Sequence, residues 1–156
     1  YLDKEILVLG CGNILFGDDG FGPEVVQYLQ MNFDIPSNVY IGDAGLSVRT
    51  YLFNIVLTER KPAKIIIVDA VDLGKPAGSI FQLNVDEMPE IKCDDFSMHQ
   101  VPTSNLLKEL KNFCKVDVKI IVAQVLSIPE EVSPGLSSVM RDSIPAACEM
   151  ILKEII

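Results

Sequence analysis

The spacing of apolar residues changes several times along the chain, and each change marks a new element. Ile6-Leu7-Val8-Leu9 is unbroken and runs into Gly10, as expected of a short buried strand over Glu5 to Gly10. From Pro23 to Met31 the pattern turns helical, and Pro23 suits a first turn because its missing N–H would have no partner there. Val39-Tyr40-Ile41 reads as a second short strand, with Gly42-Asp43-Ala44-Gly45 as a turn after it. Leu46, Val48, Tyr51, Leu52, Ile55 and Val56 then recur at three- and four-residue steps, which predicts a helix with one buried face. Lys64-Ile65-Ile66-Ile67-Val68 is the plainest strand, and its β-branched run predicts a central parallel position buried on both faces.

The second half continues the alternation. Ser79 to Asn84 alternates polar and apolar residues, as an antiparallel edge strand would. Residues 85–100 carry five acids, one proline and no periodicity, which predicts a loop over the carboxyl edge of the sheet. A helix capped by Thr103 or Ser104 is expected through about Phe113, then a last strand over Val118 to Val125. Ser133 and Pro134 are expected to cap and start a final helix that Pro145 should kink. Strand and helix alternate without repeats or linkers. The expected fold is a three-layer α/β/α sandwich in one domain over residues 1–156, with a mostly parallel, twisted five-stranded sheet and one antiparallel edge strand.

A chain of 156 residues buries roughly 70% of its unfolded surface, so no disulfide or metal staple is needed. Hydrophobic residues make up 49%, yet the longest apolar runs are far too short to span a bilayer. No secretory signal is expected either, and the start at Tyr1 suggests that a few native residues precede it. The expectation is a soluble, cytoplasmic protein with no membrane partner. A net charge of −9 with no cluster of Lys and Arg argues against nucleic acid as a partner. Cys11, Cys93, Cys114 and Cys148 lie 82, 21 and 34 residues apart, which matches no paired zinc or redox spacing, so reduced and mostly buried thiols are expected.

The chemistry concentrates between the first strand and the first helix, in Gly10-Cys11-Gly12-Asn13-Ile14-Leu15-Phe16-Gly17-Asp18-Asp19-Gly20-Phe21-Gly22. Its glycines invite comparison with a dinucleotide cradle, but Leu15 stands where a third glycine would, and no Lys-Ser/Thr pair follows. Asp18 and Asp19 would also oppose a pyrophosphate at the helix start. One of them could simply interact with the helix dipole, for about 0.3 to 1 kcal/mol. The other, with Asp69 or Asp72 from the loop after the central strand, would form a carboxylate cluster that a cation relieves. His99, the chain's single histidine, would complete an open O,O,N site suited to nickel, iron or zinc. No Ser-His-acid arrangement or activated cysteine is suggested. A non-catalytic metal- or nucleotide-binding module on the same fold is the alternative reading.

Three segments carry a resemblance along nearly the whole chain: residues 12–22, Val68-Asp69-Ala70-Val71-Asp72-Leu73-Gly74, and Ser97-Met98-His99-Gln100-Val101. In order and spacing they resemble the motifs of the nickel–iron hydrogenase maturation endopeptidases, most of all the archaeal branch serving the deazaflavin-coenzyme-reducing hydrogenase. The resemblance implies a hydrolase that removes a C-terminal extension from the hydrogenase large-subunit precursor after nickel insertion. Nickel would then be met transiently, bound to the substrate, with no permanent cofactor. By position, the family's nickel-contacting acid falls on Asp19, the second acid on Asp69 and the histidine on His99. Asp18 takes a supporting role, and Asp43-Ala44-Gly45 replaces the Gly-Thr pair of many relatives.

Overall fold

The computed structural model describes residues 1–87 and 101–156, with only the backbone described at Glu87 and at 101–104. Five strands form one sheet: β1 (Ile6–Cys11), β2 (Val39–Gly45), β3 (Lys64–Val71), β4 (Ile80–Leu83) and β5 (Asp117–Gln124). Their order is β2-β1-β3-β5-β4, parallel throughout except for β4, which runs antiparallel to β5 at the edge. The expected sandwich is therefore the observed one, with the Ile65–Val68 run at its centre.

Among the described residues, four helices cover the two faces. α1 (Phe21–Asn32) and α4 (Ser138–Ile155) pack on one side, where Phe21, Val25, Leu29, Met140, Ile144 and Ile151 meet Val8, Ile66 and Val68. α2 (Val48–Leu57) and α3 (Val101–Asn112) pack on the other, where Leu52, Ile55, Leu107 and Leu110 meet Leu7, Leu9, Ile65 and Ile67. Alternate residues of β1 and β3 thus feed opposite cores, as a strand buried on both faces requires.

The strand order places the ligand crevice. From β1 the chain goes to β2 on one side and then crosses back to β3 on the other, so the topology reverses between β1 and β3. In open α/β sheets this is where ligands bind, outside the carboxyl ends of the strands. Both acidic motifs emerge there.

Several boundaries differ from expectation. β2 continues through Gly45, because Gly42 and Asp43 pair with Leu9 and Gly10 and ladder hydrogen bonds outweigh the turn preference of these residues. α1 begins at Phe21, with a 3-10 turn over Gly17–Gly20 ahead of it, so Pro23 lies inside its first turn. α3 begins at Val101, ahead of Thr103 and Ser104. α4 begins at Ser138, not at Pro134, because Ser133 is used elsewhere: it accepts from Gly17 N at 2.9 Å and donates to Leu15 O at 2.8 Å. The helix runs on through Pro145, an exposed position where the lost bond can be replaced by water. The loop expected over residues 85–100 opens with a 3-10 turn at Val85–Glu87, and residues 88–100 lie outside the described part, as do Cys93 and His99.

Candidate functional site

Close contact between backbone segments builds the site. A Cβ on Gly22 would collide with the carbonyls of Cys11 and Val68 and stand 2.6 Å from Cys11 N, so α1 starts directly against the ends of β1 and β3. Gly12 has φ +133°, and a Cβ there would strike the Asp19 carbonyl. Only glycine satisfies both demands, the reach into unusual φ and the absence of a side chain. The 3-10 turn carrying Asp18 and Asp19 is thereby pressed onto β3.

The two neighbouring aspartates do different things. Asp18 is 2% exposed and faces the loop after β5: Oδ2 accepts from Leu126 N at 2.9 Å, Ser127 N at 3.4 Å and Ser137 Oγ at 3.0 Å. Its Oδ1 accepts from Ser137 N at 2.7 Å. Ser137 stands at the N-cap of α4 but spends its hydroxyl on Asp18 rather than on the helix. Asp18 is therefore a clamp between two loops. Asp19, 7% exposed, turns back on its own loop, where Oδ2 accepts from Asn13 N at 2.9 Å. In a phosphate cradle such an N–H would face the anion; here a carboxylate already occupies it, which weighs against nucleotide binding.

Asp69 was expected in a loop and instead lies within β3, 5% exposed. It pairs in register with Val122 of β5, one step beyond the Val68–Gly10 pair of β1 and β3. By strand alternation it shares the face of Ile67 and Val71. Its Oδ1 accepts from Ala70 N at 2.8 Å, which fixes the carboxylate's orientation. Asp19 and Asp69 thus stand on elements in contact at the switch point, both buried, as few carboxylates are without function or strong pairing.

Asp72 does not join them. It is exposed, and Oδ1 accepts from Gln124 Nε2 at 3.0 Å. Gln124 is the polar residue at this edge that the sequence pattern did not single out. Buried at the end of β5, it receives Leu73 N at 2.7 Å and Lys75 N at 3.3 Å on Oε1 and also donates to Val125 O at 3.0 Å. An amide saturated in this way shapes the whole turn after Asp69. The available signal was a polar residue inside the run Ile120-Ile121-Val122-Ala123-Gln124-Val125.

Among the described residues, no group of three or more His, Cys, Asp and Glu side chains stands ready to hold a metal ion. His99 lies outside them. The elements on either side do fix where the chain departs and returns. Val85 and α3 pack on the face that Asp69 shares, and α3 leads into β5 through Val116 N to Leu110 O and Asp117 N to Ala63 O. Since β5 is parallel to β3, α3 runs back from the carboxyl side of the sheet to the start of β5. Cys11 closes β1 beneath the loop, buried in the core on the α2/α3 side. Cys148 is buried against α1, and loss of solvation pushes its thiol up to about 11. No helix among the described residues is long and apolar enough to cross a membrane.

Comparison with known proteins bears on the fold and the family. Over 154 residues the chain is 44% identical to a hydrogenase maturation protease of Methanocaldococcus jannaschii, covering 97% of each chain. It is 40% identical over 161 residues to the delta subunit of the coenzyme F420 hydrogenase of Methanothermobacter thermautotrophicus, covering 98% of this chain and 96% of that one. Its fold superposes on the hydrogenase maturating endopeptidase HybD from E. coli with a TM-score of 0.74 at 28% identity, over 97% of this chain and 91% of the other. The family model described as HycI, hydrogenase maturation protease, matches residues 23–154. With that match across most of the sequence, and relatives alike over its full span, the chain belongs to the hydrogenase maturation protease family.

Proposed function

We propose that this endopeptidase removes the C-terminal extension of a nickel–iron hydrogenase large-subunit precursor once nickel has been inserted, and that Asp19, Asp69 and His99 meet the nickel in that substrate. The observation that carries the reading is the pair of buried carboxylates at the switch point, each with one oxygen anchored by a main-chain N–H. Two carboxylates and an imidazole leave coordination positions open, so they suit an ion that already has ligands of its own. Recognition then reports that nickel is present. The role of the chain in the chemical step is to bring the scissile bond against this edge, and one carboxylate takes the proton of the attacking water. The reaction belongs in the cytoplasm, on a folded precursor, and the whole chain acts as one domain. The resemblance to the F420 hydrogenase delta subunit supports a methanogen-type hydrogenase as the substrate's owner.

The test is a mass measurement. Nickel-loaded and nickel-free precursors are incubated with the wild-type chain, Asp19→Asn and His99→Ala, and release of the C-terminal tail is followed. Wild type should cut only the nickel-loaded form, and each variant should slow cutting by about 100-fold or more. Normal tail release by both variants would remove the site assignment, and cleavage of the nickel-free precursor at the same rate would remove the role of nickel.

A further inference from the structure

The loops that carry and clamp the acids also expose a band of aliphatic side chains that the site chemistry does not use. Ile14 and Leu15 follow β1, Leu126, Ile128 and Val132 follow β5, and each is between 43% and 63% exposed. These two loops are one surface. Phe16 and Ser133 form a parallel bridge, Ser133 donates to Leu15 O at 2.8 Å, Gly17 donates to Ser133 O at 2.9 Å, and Asp18 receives the N–H groups of Leu126, Ser127 and Ser137. The band begins within five residues of Asp19 in sequence and shares its carboxyl edge. Its charge has one sign: residues 12–22 and 126–137 include Asp18, Asp19, Glu130 and Glu131 and no Lys or Arg, in a chain of net charge −9. Of the four, Glu130 and Glu131 are exposed beside the aliphatic band.

We infer that this clamped pair of loops is the docking lip for the precursor, and that it takes an apolar segment of the precursor carrying a basic side chain; the inference rests on the processing function proposed above. Contiguous exposed aliphatic side chains on a monomer mark an interaction surface, and a charge of one sign selects a partner of the other. The lip lies beside the acids, so a precursor seated on it presents the neighbouring stretch of its chain to Asp19. The lip supplies affinity and register, and the acids supply the nickel test.

The experiment uses Ile128→Ser with Val132→Ser, and separately Glu130→Lys with Glu131→Lys, all at exposed positions outside the acid site. Direct binding of nickel-loaded precursor is measured by calorimetry, alongside KM and kcat for tail release. A thermal midpoint within about 2 °C of wild type establishes that each variant is folded. The aliphatic pair should raise Kd and KM about tenfold or more with kcat within about twofold. The charge pair should weaken binding and flatten its dependence on salt. Kd and KM within twofold of wild type in both variants, with wild-type cleavage normal, would overturn the lip and leave the processing function standing. If wild type binds the precursor without cutting it, the processing function falls and the lip is judged on Kd alone. Absence of any wild-type binding overturns both.

Discussion

Asp18→Asn isolates what the first aspartate of the doublet does. The carboxylate accepts four bonds from the loop after β5, three of them from main-chain N–H groups. Asparagine keeps its volume but turns one oxygen into a donor. With the amide oxygen in the Oδ2 place, the new NH2 faces Ser137 N; with the amide reversed, it faces Leu126 N and Ser127 N. Either way at least one part-buried N–H loses its acceptor, at about 1 to 3 kcal/mol, and the remaining bonds lose the charge that roughly doubles their strength. The sum is about 3 kcal/mol, large against a total stability of roughly 5 to 15. For a chain of this size, the thermal midpoint should fall by about 6 to 12 °C. Circular dichroism on heating and a urea titration read this directly, and an unchanged m-value would show that the unfolded reference is unaltered. Asp19→Asn provides the contrast, with tail release lost and a midpoint near wild type. If Asp18→Asn melts within about 2 °C of wild type, the bonds drawn from Leu126 and Ser137 do not fasten these loops and the clamp is wrong.

Three further outcomes follow from the same geometry. Gly22→Ala sets a methyl against backbone atoms of Cys11 and Val68 that cannot move aside, so it should cost about 3 kcal/mol or more and reduce soluble yield, read by urea midpoint. Gln124→Glu places a second carboxylate against Asp72 and removes the donor to Val125 O; the expected result is a loss of about 2 to 4 kcal/mol by urea titration and slower tail release, through the turn after Asp69. Glu154 has its carboxyl held below the ordinary 4.5, first by the hydrogen bond from Lys64 Nζ at 2.8 Å. A depressed folded value means that the stabilisation is present above 4.5 and is lost as pH falls through the folded value. Glu154→Gln should therefore be less stable than wild type by about 0.5 to 1 kcal/mol at pH 7, with the gap closing in acid. A gap that persists at pH 3 would contradict the sign.

The layers were legible because burial on both faces writes itself as β-branched runs. Ile65-Ile66-Ile67-Val68 could occupy little else than the centre of a parallel sheet, and it does. The alternation from Ser79 to Asn84 likewise marked the antiparallel edge. What local pattern could not show was competition for the same residues by distant partners. Ser133 and Pro134 have the chemistry of a helix start, yet the chain at Ser133 bonds to Leu15 and Gly17, more than a hundred residues away, and the helix waits for Ser138. Asp72 looked equivalent to Asp69 until Gln124, fifty-two positions on, claimed it. In each case a long-range hydrogen bond overrode a local preference, and such bonds have no signature within a window of a few residues.

The doublet Asp18-Asp19 shows the same limit from the other side, because its division of labour follows from local geometry once the geometry is known. In a 3-10 turn there are three residues per turn, so adjacent side chains leave the axis about 120° apart. Two neighbouring carboxylates on such a turn therefore start out in different directions. One is directed toward the loop after β5 and the other toward the loop it came from, and the bonds that Asp18 accepts from Ser137 N and Asp19 accepts from Asn13 N record that split. A regular α-helix would have separated them by a similar angle but left both on a solvated first turn; the tighter turn, pressed onto β3, buries both instead. Fastening the loops and holding Asp19 on a turn that touches β3 are then one structural event. A substitution that loosens Asp18 should consequently reach the chemistry through the position of Asp19, raising the barrier to cleavage even where the chain remains folded.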